Sequence, residues 1–191
     1  MKFRRTGTLH RFLDDGTPVR MRPLEAADLG QAAQFFAGMS EQSRYMRFMA
    51  HMPRLTPSAV NMVERTLWES RSFILVALAD ADGQERIIGG IRIVPTDRDA
   101  VCEFSVIVLD RWQGKGLGTL LLHEVEKHAK RLGFHELEGI ILALNTKMLA
   151  AAQHNRYKLA HHPDDPTVVI AHRHLYTPAL RSPYRGGRRP G

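Results

Sequence analysis

The sequence predicts a mixed α/β (α+β) domain, with a mostly antiparallel sheet of about six to seven strands and helices on both faces. Three apolar, strand-like runs follow one another at residues 73–78, 86–94 and 101–109, as in an antiparallel meander. A helical pattern over residues 116–131 then leads to another strand-like run at 137–144, which is the order of a strand–helix–strand unit. A sheet built from both arrangements is expected to carry helices on its two faces.

The first third of the chain is predicted to hold one strand and three helical segments. A short strand is expected at Pro18–Pro23, after a turn. Apolar residues recur at helical spacing over residues 25–36, and a shorter helical pattern covers residues 40–49. A third helix is predicted over residues 58–68, with Thr56 as its N-cap.

The helix predicted over residues 116–131 is amphipathic and has a clear end. Its apolar positions recur every three or four residues, at Leu117, Leu121, Val125, Ala129 and Leu132. Gly133 is a suitable C-terminal stop. Asn145 is expected to cap a further helix at Thr146–His154, and Val168–His174 is predicted as the last strand.

We divide the 191 residues into an N-terminal extension (1–17), one folded domain (18–176) and a flexible Arg/Gly/Pro-rich tail (177–191). The net charge is +7, and removing the four arginines of the last eleven residues leaves +3. We therefore favour a solvated tail over a nucleic-acid-binding arm. The alternative predicts salt-dependent binding that is lost when residues 181–191 are removed.

Other compositional features bear on location. No apolar run approaches the ~18–20 residues of a membrane span, so we expect no membrane association. The basic N-terminus lacks a following apolar segment, so no secretory signal is predicted. The single cysteine, Cys102, excludes an internal disulfide and suits a reducing, cytoplasmic location.

The most informative stretch is Arg-Trp-Gln-Gly-Lys-Gly-Leu-Gly at residues 111–118, between a predicted strand and a predicted helix. Glycines in such a turn leave backbone N–H groups accessible, and these groups, with the positive helix end, form an anion site. The glycine spacing matches neither a dinucleotide-binding turn nor a P-loop. The alternative is a glycine-rich turn without a ligand.

Residues 111–116 fit the pattern Q/R-x-x-G-x-G/A, the signature of the GNAT superfamily of N-acetyltransferases. Over residues 18–175 the chain resembles that family in element order, in the strand ahead of the signature, and in Asn145 after the next strand. Ser-Arg-Tyr-Met-Arg-Phe at 43–48 and Glu-Phe-Ser-Val-Ile-Val at 103–108 resemble the acetyltransferase domain of bacterial Pat-type protein-lysine acetyltransferases.

The resemblance implies an acyl-CoA donor, usually acetyl-CoA, and no metal. The expected pyrophosphate contacts are backbone N–H groups of Gln113, Gly114, Lys115, Gly116, Leu117, Gly118 and Thr119. The pantetheine arm is expected to pair with Val106, Ile107 and Val108 and to touch Asn145. The Lys115 side chain either adds charge near the phosphates or is solvated. The expected acceptor is a primary amine. It is a protein lysine if the Pat-type resemblance extends to the substrate, and a small amine otherwise.

Glu103 is the candidate general base, because a carboxylate within an apolar strand is costly unless something compensates. Strand alternation places Glu103 and Ser105 on one face and Phe104 on the other. Several GNAT members carry a glutamate in this strand that acts through water. The alternative is an exposed or salt-bridged glutamate at the strand end.

The sequence offers few other groups that could act as a general acid, a nucleophile or a metal ligand. The family tyrosine expected to protonate the leaving thiolate is replaced by Ala152, and we expect Tyr157 to pack rather than to act as the acid. Cys102 is interpreted as a small buried hydrophobe in preference to a nucleophile. The histidines match no compact zinc template, so no metal site is predicted.

The acceptor site is expected around residues 40–54 and the last strands. Five side chains there either line an acceptor groove or pack the helices on the sheet: Tyr45, Met46, Phe48, Met49 and Met52. His51 is a secondary candidate base. A noncatalytic acyl-CoA-binding module is the rival interpretation. Such a module would retain the glycine loop and lack the general acid, as this chain does at Ala152.

Overall fold

The computed structural model describes residues 7–175, which form one eight-stranded sheet. Its strand order is β1-β2-β3-β4-β5-β6-β8-β7. The strands are β1 (Leu9–Phe12), β2 (Pro18–Pro23), β3 (Phe73–Ala81), β4 (Gln84–Pro95), β5 (Val101–Val108), β6 (Glu136–Leu142), β7 (Lys158–His161) and β8 (Val168–His174). Among these neighbours only β5 and β6 run parallel. The predicted fold class is thus confirmed.

In residues 7–175, five α-helices cover the sheet: α1 (Ala32–Ala37), α2 (Glu41–Phe48), α3 (Pro57–Trp68), α4 (Leu117–Arg131) and α5 (Thr146–His154). The main core packs the apolar stripe of α4, with part of α5, against one face. A smaller cluster joins β3 and β4 to the α1 side of the other face. The predicted caps are present, since Thr56 accepts from Ala59 N at 3.2 Å and Asn145 from Met148 N at 3.2 Å. No helix in residues 7–175 is long and apolar enough to cross a bilayer.

The structure contains two strands that the sequence did not predict. β1 and β7 have only four residues each and occupy the two edges of the sheet, so neither shows the apolar run of a central strand. β1 lies within residues 1–17, so part of the predicted extension belongs to the sheet. Tyr176 and the predicted tail at 177–191 lie outside the described residues.

The helix predicted over residues 25–36 is shorter than expected. Ala26–Gln31 forms a 3₁₀ segment, and α1 begins only at Ala32. The Asp28 carboxylate accepts from Arg22 at 2.6 and 2.8 Å and from Glu25 N at 2.8 Å. The Arg22 hydrogen bonds hold the pKa of Asp28 below its ordinary value, so this turn is fixed to β2 by an ion pair.

The feature that positions the site is the separation of β5 from β6. The two strands pair only from Val101 to Glu103 on β5 and from Glu136 to Glu138 on β6. Beyond that point the Phe104 ring lies against Gly139, where an added Cβ would stand 2.3 Å from Phe104 Cζ. The ring is buried and meets Tyr157 edge-on, at 5.2 Å between centroids. The Phe104 ring therefore acts as a wedge between β5 and β6, directly after their last paired residues.

Candidate active site

A cleft of about 940 Å³ opens where β5 and β6 separate, between α2 on one side and the start of α5 on the other. Ten of the twelve residues predicted for the site line this cleft. They are Glu103, Val106, Ile107, Val108, Gln113, Gly114, Gly116, Gly118, Thr119 and Asn145. The sequence-based selection therefore corresponds to one continuous surface, although the residues come from four separate elements.

One edge of β5 faces the cleft with its main-chain groups. Leu109 N donates to Ile88 O at 3.0 Å, and Thr96 N donates to Val101 O at 3.1 Å, so odd-numbered residues of β5 bond to β4. By alternation, Val106 and Val108 turn their N–H and C=O groups to the opposite side. Because β6 pairs with β5 only as far as Glu103, this edge has room for an added extended segment.

Ile107 differs from its two neighbours. Its odd position directs its main chain to β4, so it can contribute only its side chain to the cleft. Val108 O also accepts a hydrogen bond at 3.0 Å from Gln113 Nε2. The edge available for pairing is thus centred on Val106 and on the N–H of Val108.

The glycine loop, residues 113–118, places the beginning of α4 at the end of the cleft. Gly114 and Gly116 have φ of +74° and +83°, a region that disfavours side chains. A Cβ on Gly116 would stand 2.7 Å from both carboxylate oxygens of Asp14. Gly116 is the N-cap residue of α4, so the N–H groups of the first helical turn point out of the helix here. This geometry is suited to binding a phosphate group.

Two predicted loop residues do not line the cleft. The Lys115 ammonium lies 2.9 Å from Asp15 Oδ2 and over the Trp112 ring at 5.1 Å. Hydrogen bonds from Thr17 and then from Lys115 hold the pKa of Asp15 well below its usual range. Leu117 is 1% exposed and belongs to the core. The side chains of both residues therefore lie away from the cleft, and the Lys115 charge is engaged by Asp15.

Asp110 connects the glycine loop to α2, and sequence analysis did not identify it. Its carboxylate accepts from Ser40 N at 2.8 Å, from Ser40 Oγ at 2.7 Å and from Ser43 Oγ at 2.7 Å. Burial acts to raise the pKa of Asp110, but these hydrogen bonds outweigh it and lower the pKa below its ordinary value. Ser40 is also the N-cap of α2, so the helix is fixed to the end of β5 at its first turn.

Glu103 stands at the closed end of the cleft. Its side chain is partly exposed, and in the described part of the chain it forms no hydrogen bond and no ion pair within 4 Å. In the parallel register it lies beside Glu138, whose carboxylate binds Arg98. The salt-bridged alternative considered for Glu103 is thus not what this structure contains.

Arg47, from α2, is the main polar group that sequence analysis missed. Its Nη2 donates to Ser105 Oγ at 2.8 Å, while its enclosed Nε has no partner in residues 7–175. Burial, with the nearby charge of Arg92, lowers the pKa of Arg47 to about 10 despite the opposing influence of Glu103. One indication of this residue was present in the sequence, because it is the second arginine of the 43–48 motif. Local spacing does not reveal that its side chain contacts β5.

The remaining groups behave as core or surface residues. Cys102 is fully buried, and burial raises the pKa of its thiol to about 12. Ala152 and Tyr157 are buried in the main core, and burial raises the pKa of the Tyr157 hydroxyl far above its ordinary value. Of the five residues proposed for an acceptor groove, Met46, Phe48 and Met49 line the cleft, whereas Tyr45, Met52 and the secondary base His51 do not.

The last strand carries two histidines that sequence analysis assigned to no metal site, and the fold places them beside Glu136, which sequence analysis did not consider. His172 Nε2 and His174 Nδ1 lie 3.1 and 3.0 Å from the two oxygens of Glu136 on neighbouring β6. The three potential ligand atoms lie within 4.8 Å of one another. Hydrogen bonding with His172 is the main influence that lowers the pKa of Glu136. None of the three lines the cleft.

A parallel pair that splits beside a glycine loop and a helix N-terminus defines the fold and site of a CoA-dependent N-acyltransferase. The family model of the GNAT acetyltransferase domain matches residues 19–158. The chain belongs to this family and is an acetyltransferase. The predicted family is therefore confirmed.

Known relatives agree with this assignment. The chain is 30% identical over 158 residues to "Acetyltransferase PA5475" of Pseudomonas aeruginosa, covering 83% of this chain and 84% of that protein. The crystal structure of the GNAT domain of S. lividans PAT superposes with a TM-score of 0.77 at 24% identity, over 88% of this chain and 97% of that one. The putative acetyltransferase yncA from Salmonella typhimurium, solved with acetyl-CoA, gives 0.68 at 17% identity, over 87% and 99%.

Proposed function

We propose that this acetyltransferase moves an acetyl group from acetyl-CoA to a primary amine, by direct attack in a ternary complex with Glu103 as general base. The observation that carries the proposal is the position of Glu103. Its carboxylate can accept a proton and has no ion-pair partner among the described residues. It lies on β5, the strand whose open edge forms one side of the cleft. A noncatalytic binding module would not need such a carboxylate there.

The cleft fits the acyl donor in two places. The first turn of α4 and the main chain of the glycine loop, residues 113–118, present N–H groups that suit a pyrophosphate. The open edge at Val106 and Val108 suits the amide groups of a pantetheine arm, which would pair there as a strand does. Asn145 lines the opposite wall, where its Oδ1 already caps α5.

The chemistry requires a neutral amine and a place for developing charge. An alkylamine such as lysine has a pKa of about 10.4 in water, so its proton must be removed. Glu103 takes this proton, directly or through a water, while the amine nitrogen forms a bond to the acetyl carbon. A main-chain N–H of the open β5 edge donates to the developing oxyanion. The C–S bond then breaks, CoA leaves as the thiolate, and the nitrogen loses its second proton to solvent, which leaves the neutral amide.

Two acceptor classes are supported by different observations. A protein lysine is supported by the 43–48 and 103–108 motifs and by the likeness to the S. lividans PAT domain. A small amine is supported by a partly open cavity of about 140 Å³ that adjoins the cleft beneath α1–α3. That cavity has space for part of a small molecule. A cytoplasmic location, where acetyl-CoA is made, is supported by the unpaired Cys102.

An assay of CoA thiol release with acetyl-CoA and a panel of amines tests the proposal. We expect turnover with at least one amine, and we expect Glu103→Gln to lower kcat by about 10²–10⁴-fold with unchanged acetyl-CoA affinity. Glu138→Gln, on the adjacent strand, is the matched control and should keep most of the activity. Unchanged kcat in E103Q at pH 7 would refute the base assignment. Donor binding without release of thiol to any amine would establish the noncatalytic alternative.

A further inference from the structure

A second cavity lies behind the candidate active site, between α1–α3 and the sheet. We call this cavity of about 140 Å³ the chamber. It shares five lining residues with the cleft, so the two spaces adjoin: Met39, Arg47, Phe48, Ser105 and Ile107. A group bound in the chamber would therefore lie next to anything held at the closed end of the cleft.

Most of the chamber wall is apolar. Its side chains include Leu24, Phe35, Val60, Val63, Ile74 and Val76. An apolar cavity of about 150 Å³ can hold a benzene ring, so the chamber is large enough for a small aliphatic or aromatic side chain. Its size and lining thus favour one apolar group of a small molecule.

Among the residues that the structure describes, three charged side chains also line the chamber, and one of them forms an ion pair there. Asp28 binds Arg22 at 2.6 Å. Arg47 donates to Ser105, and Arg92 Nε donates to Thr66 Oγ1 at 2.9 Å, so both arginines bond to neutral hydroxyls. Neither arginine forms an ion pair within 4 Å in residues 7–175. Within the described part of the chain, the chamber therefore carries two guanidinium groups that have no carboxylate oxygen within 4 Å.

This arrangement is costly without an anion. Burial lowers the pKa of both arginines, and the charge of Arg92 also disfavours the cationic form of Arg47. The charge of Glu103 opposes this for both arginines, and Glu69 does so for Arg92, but desolvation outweighs them. A buried guanidinium is normally compensated by a carboxylate or phosphate that accepts charge-assisted hydrogen bonds. Arg47 also retains the enclosed Nε without a partner among the described residues. An anion placed between Arg47 and Arg92 would relieve both the desolvation and the repulsion.

The position of Glu103 indicates what kind of anion this is. Glu103 and Ser105 lie on the same face of β5, two residues apart, which corresponds to roughly 7 Å along the strand. Arg47 is anchored on that same Ser105. One small molecule can therefore present an amine to Glu103 and a carboxylate to Arg47, because its two polar groups need be separated by only a few bonds.

We propose that the acceptor is a small amino acid with an apolar side chain, whose carboxylate is bound by Arg47 and Arg92 in the chamber. This inference rests on the proposed acetyl transfer and specifies its acceptor. The amine lies beside Glu103, the apolar side chain enters the chamber, and the product is the N-acetyl amino acid with free CoA. Among the two acceptor classes, the small amine is the one that these observations favour.

Matched pairs of acceptors test the inference by CoA thiol release. Phenylalanine is compared with phenethylamine, and leucine with isoamylamine, because each pair differs only in the carboxylate. We expect kcat/KM to be at least about tenfold higher for the amino acid in one pair. Arg47→Gln should abolish this preference, mainly by raising KM for the amino acid.

Arg44→Gln is the control, because Arg44 lies on the same helix but donates to Pro53 O at 2.7 Å and lines neither cavity. It should keep the preference for the carboxylate. The Tm of R47Q, compared with that of the wild type and of R44Q, controls for folding. Equal turnover within both pairs, or a preference that survives R47Q, would overturn the inference. A lysine peptide as the sole substrate would overturn it and leave the proposed acetyl transfer intact.

Discussion

The two sides of the cleft are built from different parts of the polypeptide. The proposed donor side, formed by the open β5 edge and the glycine loop, offers mainly main-chain groups whose direction follows from strand register and positive φ. The acceptor side, which includes the chamber, depends on side chains from α2, β4 and β5 that meet only in the folded chain. Under the proposed assignment, donor recognition is encoded by a short motif, whereas acceptor recognition is encoded by tertiary packing.

The largest effect that tests this contrast is expected from Gly116→Ala on the donor side. Its positive φ and the 2.7 Å approach of a Cβ to Asp14 require the loop to move. We expect acetyl-CoA affinity, measured by calorimetry, to fall by at least about tenfold. Gly30→Ala is the control, because nothing lies within 4 Å of an added Cβ there. Wild-type affinity in G116A would show that the loop main chain does not hold the donor.

The next effect concerns the wedge that parts the two strands. Gly139→Ala would place a Cβ against the Phe104 ring, and overpacking of this kind costs about 1–3 kcal/mol. We expect a lower Tm together with weaker acetyl-CoA binding. Adding Phe104→Leu should relieve the contact and recover part of the donor affinity. A G139A protein with the stability and affinity of the wild type would show that the wedge does not set the separation.

Sequence analysis succeeded where local patterns determine the structure. The meander, the stop at Gly133 and the caps at Thr56 and Asn145 follow from apolar spacing and from side chains that bond within three residues. The glycine loop was located for the same reason. Even so, the sequence did not show that Ile107 turns its main chain to β4, because that depends on the register of a partner strand.

The missed features all depend on contacts between distant segments. Asp110 and Ser40 are 70 residues apart, and Arg47 and Ser105 are 58 apart, so no spacing rule connects them. The Lys115 side chain was open to two interpretations until the turn after β1 placed Asp15 beside it. β1 itself was missed because four residues with alternating exposure give too short a pattern at a sheet edge.

A third prediction concerns the link between the two sides. Asp110→Asn weakens three hydrogen bonds that hold α2, and we expect a loss of about 1 kcal/mol in the free energy of unfolding, since the site is exposed. The folded pKa of Asp110 is depressed, so its contribution is complete above its unfolded value of about 3.9 and falls as the pH drops below that value.

Urea unfolding of wild type and D110N at several pH values measures this contribution. The difference between the two proteins should be constant from about pH 5 to 8 and shrink below about pH 4. A difference that grows as the pH falls would contradict the assigned direction of the pKa shift. Asp82→Asn, at an exposed pair with Arg111, is the control and should change little.

The smallest effect is expected from Lys115→Met. Because the ammonium is held by Asp15 and lies over Trp112, its removal should change acetyl-CoA affinity by less than about threefold. Calorimetric titration at low and moderate salt measures the change. A loss of tenfold or more that vanishes in high salt would show that the lysine leaves Asp15 to bind phosphate, and the donor side would then rely on side chains as well.

Amide hydrogen exchange of β5, with and without acetyl-CoA, tests the role of the open edge most directly. In the free protein the N–H groups of Val106 and Val108 should exchange much faster than that of Ile107, which bonds to β4. Acetyl-CoA should slow exchange at Val106 and Val108 and leave Ile107 nearly unchanged. Protection of Val106 and Val108 before the donor is added, or no change when it binds, would contradict the assignment of this edge as the donor site.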